Sequence, residues 1–134
     1  MYRLSLIPKV TITSQDAYKI SDETGRRQCK CLFKVDLDVY KWEARVVKGN
    51  LEPELGAGNL IESGNFLKRE QLQEIVVEDT ELLNGDGVYT ISIYAQGLNG
   101  YWSNGTYSKI YVEFNYNKKR NYNYRWKYNC KTYQ

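Results

Sequence analysis

Histidine is absent from the 134 residues. That excludes Ser-His-Asp and Cys-His catalysis, His-ligated zinc and imidazole acid–base chemistry. Cysteine is scarce and odd in number: Cys29, Cys31 and Cys130. Three thiols without framework spacing do not make a secreted disulfide scaffold, and one C-x-C without a second pair is a poor zinc ligand set. No apolar run approaches the ~20 residues of a membrane helix. The opening Met1–Pro8 is too short and too polar in sequel to be a signal peptide. There are 2 prolines, and 3 phenylalanines against 13 tyrosines.

What is present is one domain's worth of chain. Hydrophobic residues make up 42 %, enough for a sizeable core. The net charge of +3 conceals two unlike parts. From Asn115 onward the chain carries Lys118, Lys119, Arg120, Arg125, Lys127 and Lys131 and no acid. Removing those 6 from 19 basic residues leaves 13 against 16 acidic ones in 1–114, so the body is −3 and the tail +6. The basicity belongs to the tail and marks no nucleic-acid patch on the body.

The body repeats with a period of two. Cys29, Cys31, Phe33, Val35 and Leu37 alternate with polar residues, as do Trp42, Ala44 and Val46, then Ile75 and Val77. Tyr89, Ile91, Ile93 and Ala95 follow, and last Ile110, Val112 and Phe114. Each pattern predicts a strand with one buried and one wet face. Both Cys29 and Cys31 then enter the core as small hydrophobes. Val10 and Ile12 predict an opening strand, with Leu4–Ile7 a candidate before it, and Leu60–Glu62 a short edge strand. Turns are expected at Ser21–Gly25, Lys48–Gly58, Gly64–Asn65, Asn84–Gly87 and Gly97–Gly105. Lys68–Gln73 is helix-like but too short to be more than a turn. The expected fold is all-β: a single antiparallel β-sandwich of about seven strands over 1–114, with 115–134 a basic, flexible tail. Trp42 should be a core aromatic between two sheets. Tyr89, after Asn84-Gly-Asp-Gly87, should form a tyrosine corner.

Asp86-Gly-Val-Tyr-Thr-Ile-Ser-Ile-Tyr-Ala-Gln96 followed by Gly100-Tyr-Trp-Ser103 resembles the last two strands of a fibronectin type III or immunoglobulin-like module. Val39–Arg45 and Gly56–Ile61 resemble small immunoglobulin-like domains in phage and prophage tail-fibre and baseplate proteins. The resemblance spans about residues 10–114. It implies a non-enzymatic structural or adhesion module, with other virion proteins or a cell-surface glycan as partner and no cofactor; without a signal peptide or membrane span, the location it implies is a virion or the bacterial cytoplasm. Such domains outside the cell usually carry an inter-sheet cysteine pair, and the Tyr89 strand has no cysteine to supply one.

No catalytic or metal-binding set stands out. The many carboxylates show no spacing that builds a glycosidase pair, and Asp79-Thr-Glu81 with Asn84-Gly-Asp86 lacks the D-x-D-x-D-G order of a calcium loop. Asp36 and Asp38 are expected at a strand-end turn. The loop Gly97–Gly105 is the best binding candidate. Asn99, Tyr101 and Trp102 combine flat aromatics with an amide, as sugar-stacking sites do. The structural alternative is that Trp102 folds back onto the core. The tail's interleaved aromatics and cations fit a nucleic-acid arm, an anionic wall polymer, a low-complexity end or an out-of-frame extension.

Overall fold

The computed structural model describes residues 7–114; the basic tail and Cys130 lie outside the described residues. Eight strands run through the described residues: β1 Val10–Gln15, β2 Lys19–Ser21, β3 Gln28–Val35, β4 Val39–Lys48, β5 Asn59–Leu67, β6 Gln73–Glu78, β7 Gly87–Gly97 and β8 Thr106–Glu113. One 3-10 turn, Asp79–Glu81, precedes β7. They form two sheets, ordered β1-β3-β6 and β2-β8-β7-β4-β5. The protein is an all-β sandwich, as the period-two patterns predict.

The alternation sets the core. Cys29, Cys31, Phe33 and Val35 of β3, Trp42, Ala44 and Val46 of β4, and Ile75 and Val77 of β6 are buried in one cluster. Tyr89, Ile91, Ile93 and Ala95 of β7 join them, with Ile110, Val112 and Phe114. Trp42 meets Phe33 edge-on at 5.2 Å between centroids, and so ties the two sheets. The Tyr89 hydroxyl donates to the Gly85 carbonyl at 2.7 Å, the expected corner. Leu37 closes the β3 pattern only half-buried, because it lies in the turn after the strand.

Three elements differ from expectation. β2, unforeseen, pairs parallel with β8 (Lys19↔Tyr111 to Ser21↔Glu113), so the fold is not wholly antiparallel. β5 is nine residues long and passes through Gly64–Asn65 without turning. Gly64 pairs with Trp42, and a Cβ there would come within 2.6 Å of the indole Nε1. The glycine therefore makes room for the tryptophan, and its turn signal was misleading. Third, β7 is buried on both faces. Thr90, Ser92 and Tyr94, expected wet, are buried, and Thr90 and Tyr94 bond to the β4–β5 loop. Leu51 N–H donates to Thr90 Oγ1, Thr90 Oγ1 donates to the Gly49 carbonyl, and the Tyr94 and Tyr107 hydroxyls both donate to the Pro53 carbonyl.

Candidate functional site: the loop end beside Val39

Val39 pairs with Leu67 on one side and Gly97 on the other. That register brings three connections to one end of the sandwich: residues 36–38 between β3 and β4, 68–72 between β5 and β6, and 98–105 between β7 and β8.

The first two connections are pegged by carboxylates. Asp36 Oδ1 accepts the Lys9 N–H and Asp38 Oδ1 accepts the Arg69 N–H, each at 2.8 Å. These are the turn roles expected for the two aspartates. Glu70 sits at φ 63, its N–H donating to the Val35 carbonyl at 2.7 Å. Its carboxylate pairs with Lys34 Nζ at 2.8 Å, and that bond holds it below the usual carboxylate range.

The third connection is closed on itself. Gly97 N–H donates to the Tyr101 carbonyl at 2.8 Å, Gly100 N–H to the Gly97 carbonyl, and Gln96 Nε2 to the Gly100 carbonyl. Asn99 Oδ1 accepts the Tyr101 N–H at 3.2 Å. Buried Ser103 fastens the returning chain, accepting from Ala95 N–H on Oγ and donating its own N–H to the Ala95 carbonyl.

The three residues singled out in this loop are placed differently. Tyr101 presents its ring to solvent, 56 % exposed. Trp102 is half-buried, bridges to Gln96, and has the Lys41 ammonium 5.6 Å from its ring centroid. Asn99 lines a shallow depression with Leu37, Asp38, Arg69 and Leu98. The depression thus draws on all three connections. Leu37, Asp38, Arg69 and Leu98 were not predicted as site residues. Their one sequence signal was a large apolar side chain, Leu98, within a glycine-rich loop; the rest depends on long-range register. Of its lining, Leu98 is 62 % exposed; Tyr101 and Leu72, on the same connections, and the edge-on pair Tyr40 and Phe66, beside the strand ends, are exposed too.

Several polar groups elsewhere on the body hold the fold together. Arg27 bridges Asp22 and Asp79 and lies over the Phe114 ring at 4.6 Å. Asp86 Oδ1 accepts the Phe114 N–H. Among the described residues no three Cys, Asp or Glu side chains gather as a metal would need, and no helix is long and apolar enough to cross a membrane.

No protein-family model and no curated protein matches the chain. Among solved structures, the chain is similar to the soluble domain of PmoD from Methylocystis sp. strain Rockwell, with a TM-score of 0.45 and 14% identity, over 79% of this chain and 90% of that one.

Proposed function

We propose that the protein is a non-enzymatic immunoglobulin-type recognition module that engages its partner through the loop end beside Val39. Three features support the immunoglobulin-type assignment. β3 lies between β1 and β6 while β7 lies between β4 and β8; a core tryptophan stands on β4; and a tyrosine corner opens β7. The observation that carries the functional reading is the depression itself. Three connections that join strands of both sheets contribute to it, and Leu98 in its lining, with Leu72 and Tyr101 on the same connections, is left in water. Loops held by a rigid sandwich are where such folds place binding residues, and clustered apolar surface marks contact sites. The tail-fibre or baseplate setting is a further proposal that rests on the Val39–Arg45 and Gly56–Ile61 residues alone.

A photo-crosslinking residue at Leu98, with one at exposed Leu83 as control, tests the site in the producing cell. A defined adduct from position 98 and none from position 83 supports it. Adducts from both positions, or from neither, count against it.

A carbohydrate ligand is the second reading, favoured by the exposed Tyr101 ring beside Asn99. The Lys41 ammonium sits over the Trp102 ring, so stacking falls to Tyr101. Titrating labelled protein with cell-surface oligosaccharides should move amide signals within 97–105; an unmoved loop rejects the glycan reading.

A further inference from the structure

Three Asn-Gly pairs occur in the chain: Asn84-Gly85, Asn99-Gly100 and Asn104-Gly105. Glycine has no Cβ to shield its own nitrogen, so such a pair is open to attack of that nitrogen on the asparagine side chain. The fold treats the three pairs differently. At Asn99, the Gly100 N–H is bonded to the Gly97 carbonyl at 2.9 Å, and Oδ1 accepts the Tyr101 N–H at 3.2 Å. Asn104 follows buried Ser103, which is fastened to Ala95 through both Oγ and N–H. Gly105 then enters β8 in a crowded space, where a Cβ would come within 2.7 Å of both the Tyr94 and Tyr107 hydroxyls.

Asn84-Gly85 is held by neither device. Both residues are exposed. Among the described residues no hydrogen bond holds the Asn84 carboxamide or the Gly85 N–H. The bond that is present has the opposite effect. Lys48 Nζ donates to the Asn84 backbone carbonyl at 3.0 Å. That oxygen and the Gly85 nitrogen belong to one peptide group. When the nitrogen loses its proton, negative charge spreads onto the oxygen, where the ammonium already stands. The Tyr89 ring, its centroid 5.6 Å from Nζ, helps to keep the ammonium there.

We propose that Asn84 is a deamidation site whose reaction Lys48 promotes. Hydroxide takes the Gly85 amide proton. The nitrogen's electron pair bonds to Asn84 Cγ, and the Cγ–Nδ2 bond breaks, releasing ammonia as its nitrogen takes a proton from water. Water then opens the resulting succinimide at either carbonyl, giving aspartate or isoaspartate. In sum, one carboxamide and one water become one carboxylate and one ammonium ion. Either product sets a negative charge beside Lys48. Isoaspartate also adds a carbon to the main chain just before Gly85, whose carbonyl takes the Tyr89 hydroxyl, so the change falls on the tyrosine corner. This inference does not depend on the loop-end reading.

The test incubates the full chain at mildly alkaline pH and reads each site by peptide mapping, with an isoaspartyl methyltransferase as a second probe. Asn84 should convert about tenfold faster than Asn99 or Asn104 in the folded chain, and the three rates should converge in urea, where only the shared Asn-Gly sequence remains. Lys48→Met should slow conversion at Asn84 about tenfold, the worth of one charged hydrogen bond, and Lys48→Arg should keep most of the rate. The Asn99 and Asn104 rates of each variant report whether its fold is kept, and the ranking in the parent needs no variant. Asn99 or Asn104 converting as fast as Asn84 in the folded chain overturns the proposal. So do three rates as unequal in urea as in the fold, or a Lys48→Met chain that matches the parent at Asn84.

Discussion

Trp42 and Gly64 act as one unit across two strands. Removing the indole opens a cavity between the sheets beside Phe33, and Trp42→Ala should cost about 3–5 kcal/mol. That is a large share of the roughly 5–15 kcal/mol that holds a domain together. Gly64→Ala adds only a methyl, yet that carbon would sit 2.6 Å from the indole Nε1 and 2.8 Å from Cε2. It should also destabilise, and in a Trp42→Phe background its penalty should shrink, because contacting residues are not additive. Denaturant melts of the four chains check this; an unchanged Gly64→Ala penalty would separate the two residues. Trp42 was readable from its own strand's alternation. Gly64 was not, because the reason for it lies on the neighbouring strand. Ser92 is the opposite kind of residue: buried, with no hydrogen-bond partner for its hydroxyl among the described residues. Ser92→Ala removes an unmet polar group and should leave stability equal or higher. A loss above about 1 kcal/mol would mean that the hydroxyl is bonded.

Strand β3 shows the same alternation as a pH response. Burial pushes the Cys29 thiol up to about 11 and the Cys31 thiol up to about 12. In the unfolded chain both ionise near 9.0. The folded state therefore holds its protons longer, and its advantage is complete below pH 9. As pH rises from about 9 through the folded values, the unfolded state gains charge first and stability falls. Tyr89 and Tyr94, raised by burial, act in the same direction. The thiol share is isolated by the Cys29→Ala, Cys31→Ala double variant. Its stability should fall less steeply above pH 9 than the parent's; parallel curves would refute the assignment. The burial of both thiols was legible because one face of β3 is uniformly apolar. Burial of the other face of β7 was not. Thr90, Ser92 and Tyr94 read as wet because a polar face looks alike whether water or a polar loop covers it. The Pro53 carbonyl, held by two tyrosine hydroxyls at 2.7 and 3.0 Å, pins that loop. Replacing Tyr94 and Tyr107 together by phenylalanine should raise amide exchange across 50–57 while leaving β7 protected. Unchanged exchange would show that the loop is held elsewhere.

At the scale of the molecule, local pattern carried the fold and long-range register carried the site. Period two, Trp42 and Tyr89 sufficed for two packed sheets. Parallel pairing of the three-residue β2, and the meeting of Leu37, Arg69 and Leu98, depend on residues far apart in sequence. Composition leads to one further test. The body, with 13 basic and 16 acidic residues, is −3, and the 115–134 tail is +6. Among the described residues, ion pairs such as Lys19–Glu113 at 2.9 Å and a cluster of buried apolar side chains already hold the sandwich together. A chain ending at Phe114 should therefore melt within a few degrees of the full protein, yet reverse its net charge. Any affinity of the full chain for DNA or another polyanion should vanish on truncation and, before it, weaken steeply with salt. The loop end should respond to neither change, because Tyr101, Leu98 and Arg69 belong to the body. Polyanion binding that survives truncation would place a cationic surface on the sandwich itself, against the charge balance. A truncated chain that fails to fold would show that 115–134 contribute to the core.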